Sequence, residues 1–244
     1  MAGLLSKFKR SKTPSSCSAV IVAAGSARRM EGIDKALAPL GELPVLVHTL
    51  YAFQDCPLVD EVVVVTREDL LVEVSQLCRD FVLDKVTKVV VGGAERMDSV
   101  RAGLREIRPE ADLVAIHDGA RPLVTQEVLR QAIEKAALTG AAAPAVPVTD
   151  TIKRGEEGLA VETVDRAGLW AVQTPQVFEA GLIRAALEQA ARDGVSLTDD
   201  CAAVERLGMK VSLTSGSREN LKITTPLDLV LGEAILEARG RGDL

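Results

Sequence analysis

The sequence predicts an α/β protein with a mostly parallel, twisted sheet flanked by helices. Short apolar runs alternate with amphipathic helical patterns along the whole chain, which is the signature of βαβ units. Several of those runs are apolar and β-branched throughout, as expected of strands covered on both faces. The first, third and fourth runs each pass directly into polar, glycine-containing sequence, and in such sheets ligands bind at the carboxyl ends of the strands.

The strand candidates are Ala19–Val22, Glu61–Thr66, Thr87–Val91, Leu113–His117, Ala141–Val148 and Lys210–Thr214. The helical patterns between them lie near Val45–Gln54, Asp69–Phe81, Asp98–Glu106, Gln126–Leu138, Ala180–Asp193 and Asp199–Leu207. Pro226–Glu237 closes the chain as another helix. Residues 150–172 break the alternation. They are polar and strand-like, with a turn at Gly155-Glu156-Glu157-Gly158, and predict a β-hairpin arm standing away from the sheet. A small hairpin is marginal alone, so a second subunit is expected to pack on it.

At 244 residues and 47% hydrophobic content, one large α/β domain over residues 17–244 is expected. Residues 1–16 carry Lys7, Lys9, Arg10 and Lys12 without the apolar core of a signal peptide, and read as a frayed basic tail. Aromatic residues make up 2% of the chain and the net charge is −6. Single-stranded nucleic-acid binders need stacking platforms and a positive groove, so nucleic acid is not an expected partner. No stretch approaches membrane-span length. The four cysteines (Cys17, Cys56, Cys78, Cys201) are far apart in sequence, form no C-x-x-C pair, and suit a reducing cytoplasm.

The chemistry concentrates at the strand ends. The first strand empties into Ala23-Ala24-Gly25, followed by the cations Arg28, Arg29 and Lys35. Small residues allow close backbone approach, and N–H groups with cations hold phosphate oxygens. The segment is neither a Walker loop nor G-x-G-x-x-G. The third strand ends in Gly92-Gly93, which admits a ring or ribose, and Asp98 or Ser99 can cap the next helix. The fourth ends in His117-Asp118-Gly119-Ala120-Arg121. A carboxylate there suits Mg²⁺, which takes one or two protein carboxylates with phosphates and water. Its bland reading is a helix N-cap, and that of His117 is a satisfied histidine at a strand end. Arg121 is placed to meet a second anion. Lys222, before a strand-to-helix junction, reaches a phosphate as a point charge. Arg166 beside Asp165 in the arm forms only a surface ion pair, worth little by itself. No histidine base is evident. A phosphomonoester nucleophile needs none, because its second pKa is about 6 and it is already dianionic at pH 7.

Seven ordered segments carry a family resemblance: AAGSARRM (Ala23–Met30), GGAERMDSV (Gly92–Val100), HDGARP (His117–Pro122), PVTDTIK (Pro147–Lys153), TVDRAGLWAVQTPQ (Thr163–Gln176), TDD (Thr198–Asp200) and NLKIT (Asn220–Thr224). On these the chain resembles the 2-C-methyl-D-erythritol 4-phosphate cytidylyltransferase family of the non-mevalonate isoprenoid pathway. The resemblance implies a Rossmann-like nucleotidyltransferase fold and a homodimer with interlocking arms. It implies that CTP and the polyol phosphate methylerythritol phosphate react to give the CDP-alcohol and pyrophosphate, with Mg²⁺ or another divalent cation. By motif, Arg29 and Lys35 would grip the triphosphate and stabilise the transition state. Ala23, Ala24, Gly25, Gly92, Gly93 and Ser99 would surround the cytidine. Asp118 would bind the metal ion and help hold the second substrate, with Gly119 beside it and Arg121 and Thr151 lining that site. Lys222 would touch phosphate, and Arg166 would reach the methylerythritol phosphate from the other subunit's arm.

The family often has Pro-Lys-Gln where this chain has Asp34-Lys35-Ala36, after a loop one residue shorter. Gly119 stands for the usual alanine and is expected to add flexibility. The transferase pattern runs to the last helix, which predicts the form not fused to a cyclase. Two other readings stay open. A ribitol 5-phosphate cytidylyltransferase shares the first loop, the His-Asp strand end and the Thr-Pro-Gln. A non-catalytic nucleotide-sensing module on the same fold would bind CTP without releasing pyrophosphate.

Overall fold

The computed structural model describes residues 16–25 and 34–242. The tail up to residue 15, and Arg28 and Arg29, lie outside the described residues. The chain opens with β1 (Cys17–Val22), a short ribbon of β2 (Pro39–Leu40) and β3 (Leu43–Pro44), α1 (Val45–Gln54) and β4 (Glu61–Thr66). A 3₁₀ turn (Glu68–Leu70) leads into α2 (Leu71–Asp80), followed by β5 (Val86–Val91), α3 (Arg96–Glu106), β6 (Leu113–Asp118) and α4 (Gln126–Thr139). Then come β7 (Ala141–Pro147), β8 (Ile152–Glu156), β9 (Leu159–Val164), β10 (Trp170–Val172) and β11 (Gln176–Glu179). The rest is α5 (Ala180–Arg192), α6 (Asp200–Arg206), β12 (Ser212–Ser215) and α7 (Pro226–Arg241). Every strand and helix read from the sequence is present, with ends shifted by a few residues.

Eight strands form the main sheet in the order β10-β7-β11-β6-β1-β4-β5, with β12 also on β7. β6, β1, β4 and β5 run parallel. β11 is inserted antiparallel between β6 and β7, and β10 is antiparallel on β7. The chain therefore builds outward from β1 to β4 and β5, then returns to the other side of β1 with β6. That reversal is a topological switch point, and it opens a crevice at the carboxyl ends of β1 and β6.

The strand period of two sorts the core into two layers. Ala19, Ile21, Val62 and Val64 face α1, α2 and α4, packing with Leu50, Phe53, Val74 and Leu129. Val20, Val63, Val65 and Ile116 face α3, α5 and α6, packing with Val100, Leu104, Ile183 and Val204. Each fully buried Leu or Ile of this kind contributes roughly 1.5–3 kcal/mol. Helices on both faces explain why β4, Glu-Val-Val-Val-Val-Thr, is buried at every residue.

β8 and β9 form a separate two-stranded hairpin. Its turn places Glu157 (φ 47°) and Gly158 (φ 82°) in the left-handed region, the backbone that suits the twist of a two-residue hairpin loop. The hairpin lies within the span read as an arm. The last residues of that span are not part of the hairpin: Trp170–Val172 pairs with Ala145–Pro147 in the main sheet. Among the described residues no helix is long and apolar enough to cross a membrane.

Candidate active site

A cleft of about 250 Å³ opens at the ends of β1, β5 and β6. Its walls include Ala23, Ala24, Gly25, Lys35, Gly93, Ser99, Asp118 and Lys222, eight of the residues read from the sequence. Residues 23–25 form a shelf, tied back where Ala23 N donates to Val65 O at 2.7 Å. The β5 loop presses against this shelf. A Cβ on Gly92 would lie 2.7 Å from Ala24 Cβ and 2.6 Å from Ser99 Oγ, so only glycine fits. The Ser99 hydroxyl accepts from Gly93 N and donates to Glu95 O, each at 3.2 Å, and so shapes the loop. Ser99 is not a helix cap, whereas Asp98 takes part in capping as the N3 residue of a capping box. α3 begins at Arg96 with Glu95 at the N-cap, and Asp98 accepts from Glu95 N at 3.4 Å from inside the first turn.

Gly119 also answers close approach. A Cβ there would lie 2.9 Å from Ala23 Cβ. Its N–H donates to Val22 O at 2.9 Å and its carbonyl accepts from Thr49 Oγ1 at 3.0 Å. The residue expected to add flexibility is buried and tied on both sides.

Asp118 is the electrostatic centre. Lys222 Nζ lies 2.9 Å and Arg121 Nε 3.4 Å from its Oδ2, and Arg96 Nε lies 3.7 Å from its Oδ1. Burial pushes this carboxyl up, but Lys222, Arg96 and Arg121 outweigh burial and hold it well below the usual carboxylate range. The N-cap reading of Asp118 does not hold, because the next helix is capped by Thr125, whose Oγ1 accepts from Val128 N at 3.3 Å. Arg121 stands behind Asp118 and donates to Asn220 O at 2.8 Å. Asn220, 1% exposed, donates to Thr174 O at 3.0 Å. Ile223 N donates to Ala120 O at 2.8 Å. These bonds carry the loop holding Lys222 across the end of β6. Gly92, Gly119 and Arg121 thus buttress the cleft. Thr151 and Arg166 lie apart from it, both exposed at the base of the β8–β9 hairpin, where Ile152 pairs with Val164.

His117 is fully buried between Thr174 Oγ1, 3.0 Å from Nδ1, and Arg121 O, 3.2 Å from Nε2. Burial pulls its pKa down to about 4, so the ring is neutral at pH 7, as a satisfied histidine should be. An unfolded histidine titrates near pH 6.5. The unfolded chain therefore takes up a proton that the fold refuses as pH falls through 6.5 towards 4. The stabilisation is complete above that window and declines within it. Urea unfolding at about pH 5 should give a stability lower by roughly 2 kcal/mol than at about pH 7.5 from this group. His117→Asn should flatten that part of the slope.

Arg96 is a cleft residue that the sequence reading missed, as is Glu95 beside it. It lies inside GGAERMDSV, where glycines and a cap explained the segment. Only the fold shows that it meets β6 and α6.

The chain matches the family model described as 2-C-methyl-D-erythritol 4-phosphate cytidylyltransferase over residues 17–238. The chain belongs to this cytidylyltransferase family. It is 47% identical to the Symbiobacterium thermophilum enzyme of that name over 226 residues, covering 92% of this chain and 94% of the relative. It is 44% identical to the Halalkalibacterium halodurans enzyme, covering 92% and 98%. Among solved structures, 4-diphosphocytidyl-2C-methyl-D-erythritol synthase from Anaerococcus prevotii superposes with a TM-score of 0.80 at 28% identity, covering 92% of this chain and 97% of that one. The cytidylyltransferase from Thermus thermophilus gives 0.73 at 33% identity, covering 89% and 98%. The Rossmann-like nucleotidyltransferase fold expected from the motifs is thus the fold of these cytidylyltransferases, and the chain is a nucleotidyltransferase.

Proposed function

We propose that this chain transfers CMP from CTP to 2-C-methyl-D-erythritol 4-phosphate, giving 4-diphosphocytidyl-2-C-methyl-D-erythritol and pyrophosphate. The observation that carries the reading is the juxtaposition of the small-residue shelf and Lys35 with Asp118 and Lys222 in one cleft. The shelf and Gly93 leave room for a flat base and ribose. Lys35 and Lys222 bring charge to the phosphates. An acceptor phosphate oxygen attacks the α-phosphorus, and the bond from that phosphorus to the bridging oxygen of the leaving pyrophosphate breaks. The acceptor is already dianionic, so the site must position and neutralise and need not deprotonate. The neutral, buried His117 is consistent with that division.

Among the described residues no three His, Cys, Asp or Glu side chains gather as a ready metal site. One cleft carboxylate still fits Mg²⁺, whose shell is completed by phosphate oxygens and water. Asp118 would hold the ion, which supplies charge neutralisation on the triphosphate. The hairpin would complete a homodimer, with Thr151 and Arg166 serving the other subunit's site. All four cysteines are buried free thiols, which supports a reducing, cytoplasmic setting.

Pyrophosphate release tests the reading. With CTP and Mg²⁺, methylerythritol phosphate should turn over far faster than ribitol 5-phosphate. Equal or reversed preference would assign the chain to the ribitol reaction, and CTP binding without release would make it a sensor. Asp118→Asn keeps the shape and removes the charge. It should abolish most activity and Mg²⁺ response while circular dichroism stays unchanged. Near-normal turnover in that variant would remove Asp118 from the chemistry.

A further inference from the structure

The Thr198-Asp199-Asp200 segment carried part of the family resemblance but has no task in the reaction described above. Its second aspartate is 1% exposed, inside the protein at the start of α6. A buried carboxylate is costly unless paired. Arg96 pairs it, with Nη2 2.7 Å from Asp200 Oδ2.

The backbone that carries this carboxylate is firmly set. Asp200 N and Cys201 N donate to Gln176 Oε1 at 2.9 and 3.0 Å. Gln176 Nε2 donates to Asp199 Oδ2 at 2.8 Å, and Asp199 Oδ1 caps α6 by accepting from Ala202 N at 3.0 Å. Gln176 is itself buried on β11, in the middle of the main sheet. One glutamine amide thus holds the helix start that carries Asp200, and Asp200 in turn ion-pairs with Arg96.

A guanidinium presents its donors as a rigid fork. Arg96 Nη2 lies against Asp200, and Nε, on the same edge of the fork, stands 3.7 Å from Asp118 Oδ1, beyond hydrogen-bond range. Arg96 lies on the cleft wall between the nucleoside side, Gly93 and Ser99, and the phosphate side, Asp118 and Lys222. Arg96, Arg121 and Lys222 meet Asp118 and Asp200 here, with Asp199 also within electrostatic reach of Arg96.

We propose that Arg96 is a further substrate-binding residue of this site, taking phosphate oxygens of the nucleoside triphosphate, and that Asp200 is its positioning residue. The inference rests on the CTP-dependent reading of the cleft. The alternative is that Arg96 serves only as the counter-ion of a buried carboxylate.

Calorimetric titration of CTP with Mg²⁺ and no acceptor separates the two. Arg96→Ala should weaken CTP binding roughly 10- to 100-fold, the worth of a charge-assisted hydrogen bond or two. It should raise the KM for CTP far more than the KM for the polyol phosphate. Arg96→Ala leaves Asp200 unpaired, so the fold is controlled with Arg96→Ala/Asp200→Asn, which removes both charges. That double variant should fold and still bind CTP weakly. Methylguanidinium should restore part of the activity of Arg96→Ala, whose hole keeps its anionic wall, and none of the activity of the double variant. Normal CTP binding by the double variant overturns the proposal and leaves Arg96 as a counter-ion. A wild-type chain that binds CTP but releases no pyrophosphate would instead overturn the reading of the reaction.

Discussion

Lys35→Ala is expected to lower kcat for pyrophosphate release by roughly 10²–10³ while the KM for CTP changes much less. The lysine is held in a defined place. Asp34 Oδ1 accepts from Ala36 N at 2.8 Å, and Asp34 O accepts from Ala38 N at 2.8 Å, closing a tight turn around residue 35. Asp34 is also ion-paired with Arg67, which a second contact fixes at 2.9 Å from Asp69. The aspartate that departs from the expected proline therefore builds the turn by hydrogen bonds instead of by a ring. The turn delivers the ammonium to the shelf: a Cβ on Gly25 would lie 3.2 Å from Lys35 Nζ. A cation fixed there before substrate arrives costs no reorganisation when charge grows at the α-phosphorus, and such groups act on the transition state more than on the ground state. Steady-state kinetics with varied CTP check it. A large rise in KM with unchanged kcat would mean that Lys35 binds substrate and transition state alike. Arg29→Ala, at the other end of the same segment, is expected to behave in the same way.

Most of the parallel half of the fold was legible because β1, β4 and β6 are buried on both faces. Runs such as Glu61–Thr66 and Leu113–His117 leave little room for another reading. β11 was not legible. Gln176–Glu179 is four residues with polar ends, and its burial comes from lying between β6 and β7, which no local pattern announces. The same distance from local signal explains the mistaken edge of the arm. Trp170–Val172 is exposed and strand-like, as an arm would be, yet its partners are in β7. In the site, glycine told the truth about close approach at Gly92. The charges were harder. Asp118 was readable because a carboxylate at a strand end has few other uses. Arg96 and Asp200 are 104 positions apart, and the pair becomes visible only once α3 and α6 lie on one face of the sheet.

The second large effect belongs to Arg166. The residue is exposed, its guanidinium bonded to Thr149 O, and it does not line the cleft of its own subunit. The hairpin before it has little core: Leu159 and Val161 are 72% and 51% exposed. A hairpin of this size is marginal in water, so its apolar residues call for a partner surface. An arginine that stays on such a surface contributes almost nothing, whereas one delivered to a neighbour's phosphate pocket gives the bidentate contact that arginine makes best. Arg166→Ala homodimers should therefore hold methylerythritol phosphate at least about tenfold more weakly and turn over poorly, with CTP binding unchanged. Lys35→Ala homodimers should be inactive for the separate reason given above. Heterodimers of the two variants contain one site with Lys35 from one subunit and Arg166 from the other, and one site lacking both. Activity recovered in purified heterodimers, and absent from a mixture prevented from exchanging subunits, supports an arm that acts in trans. Heterodimers that form and stay inactive would place Arg166 in its own subunit's site or outside the chemistry.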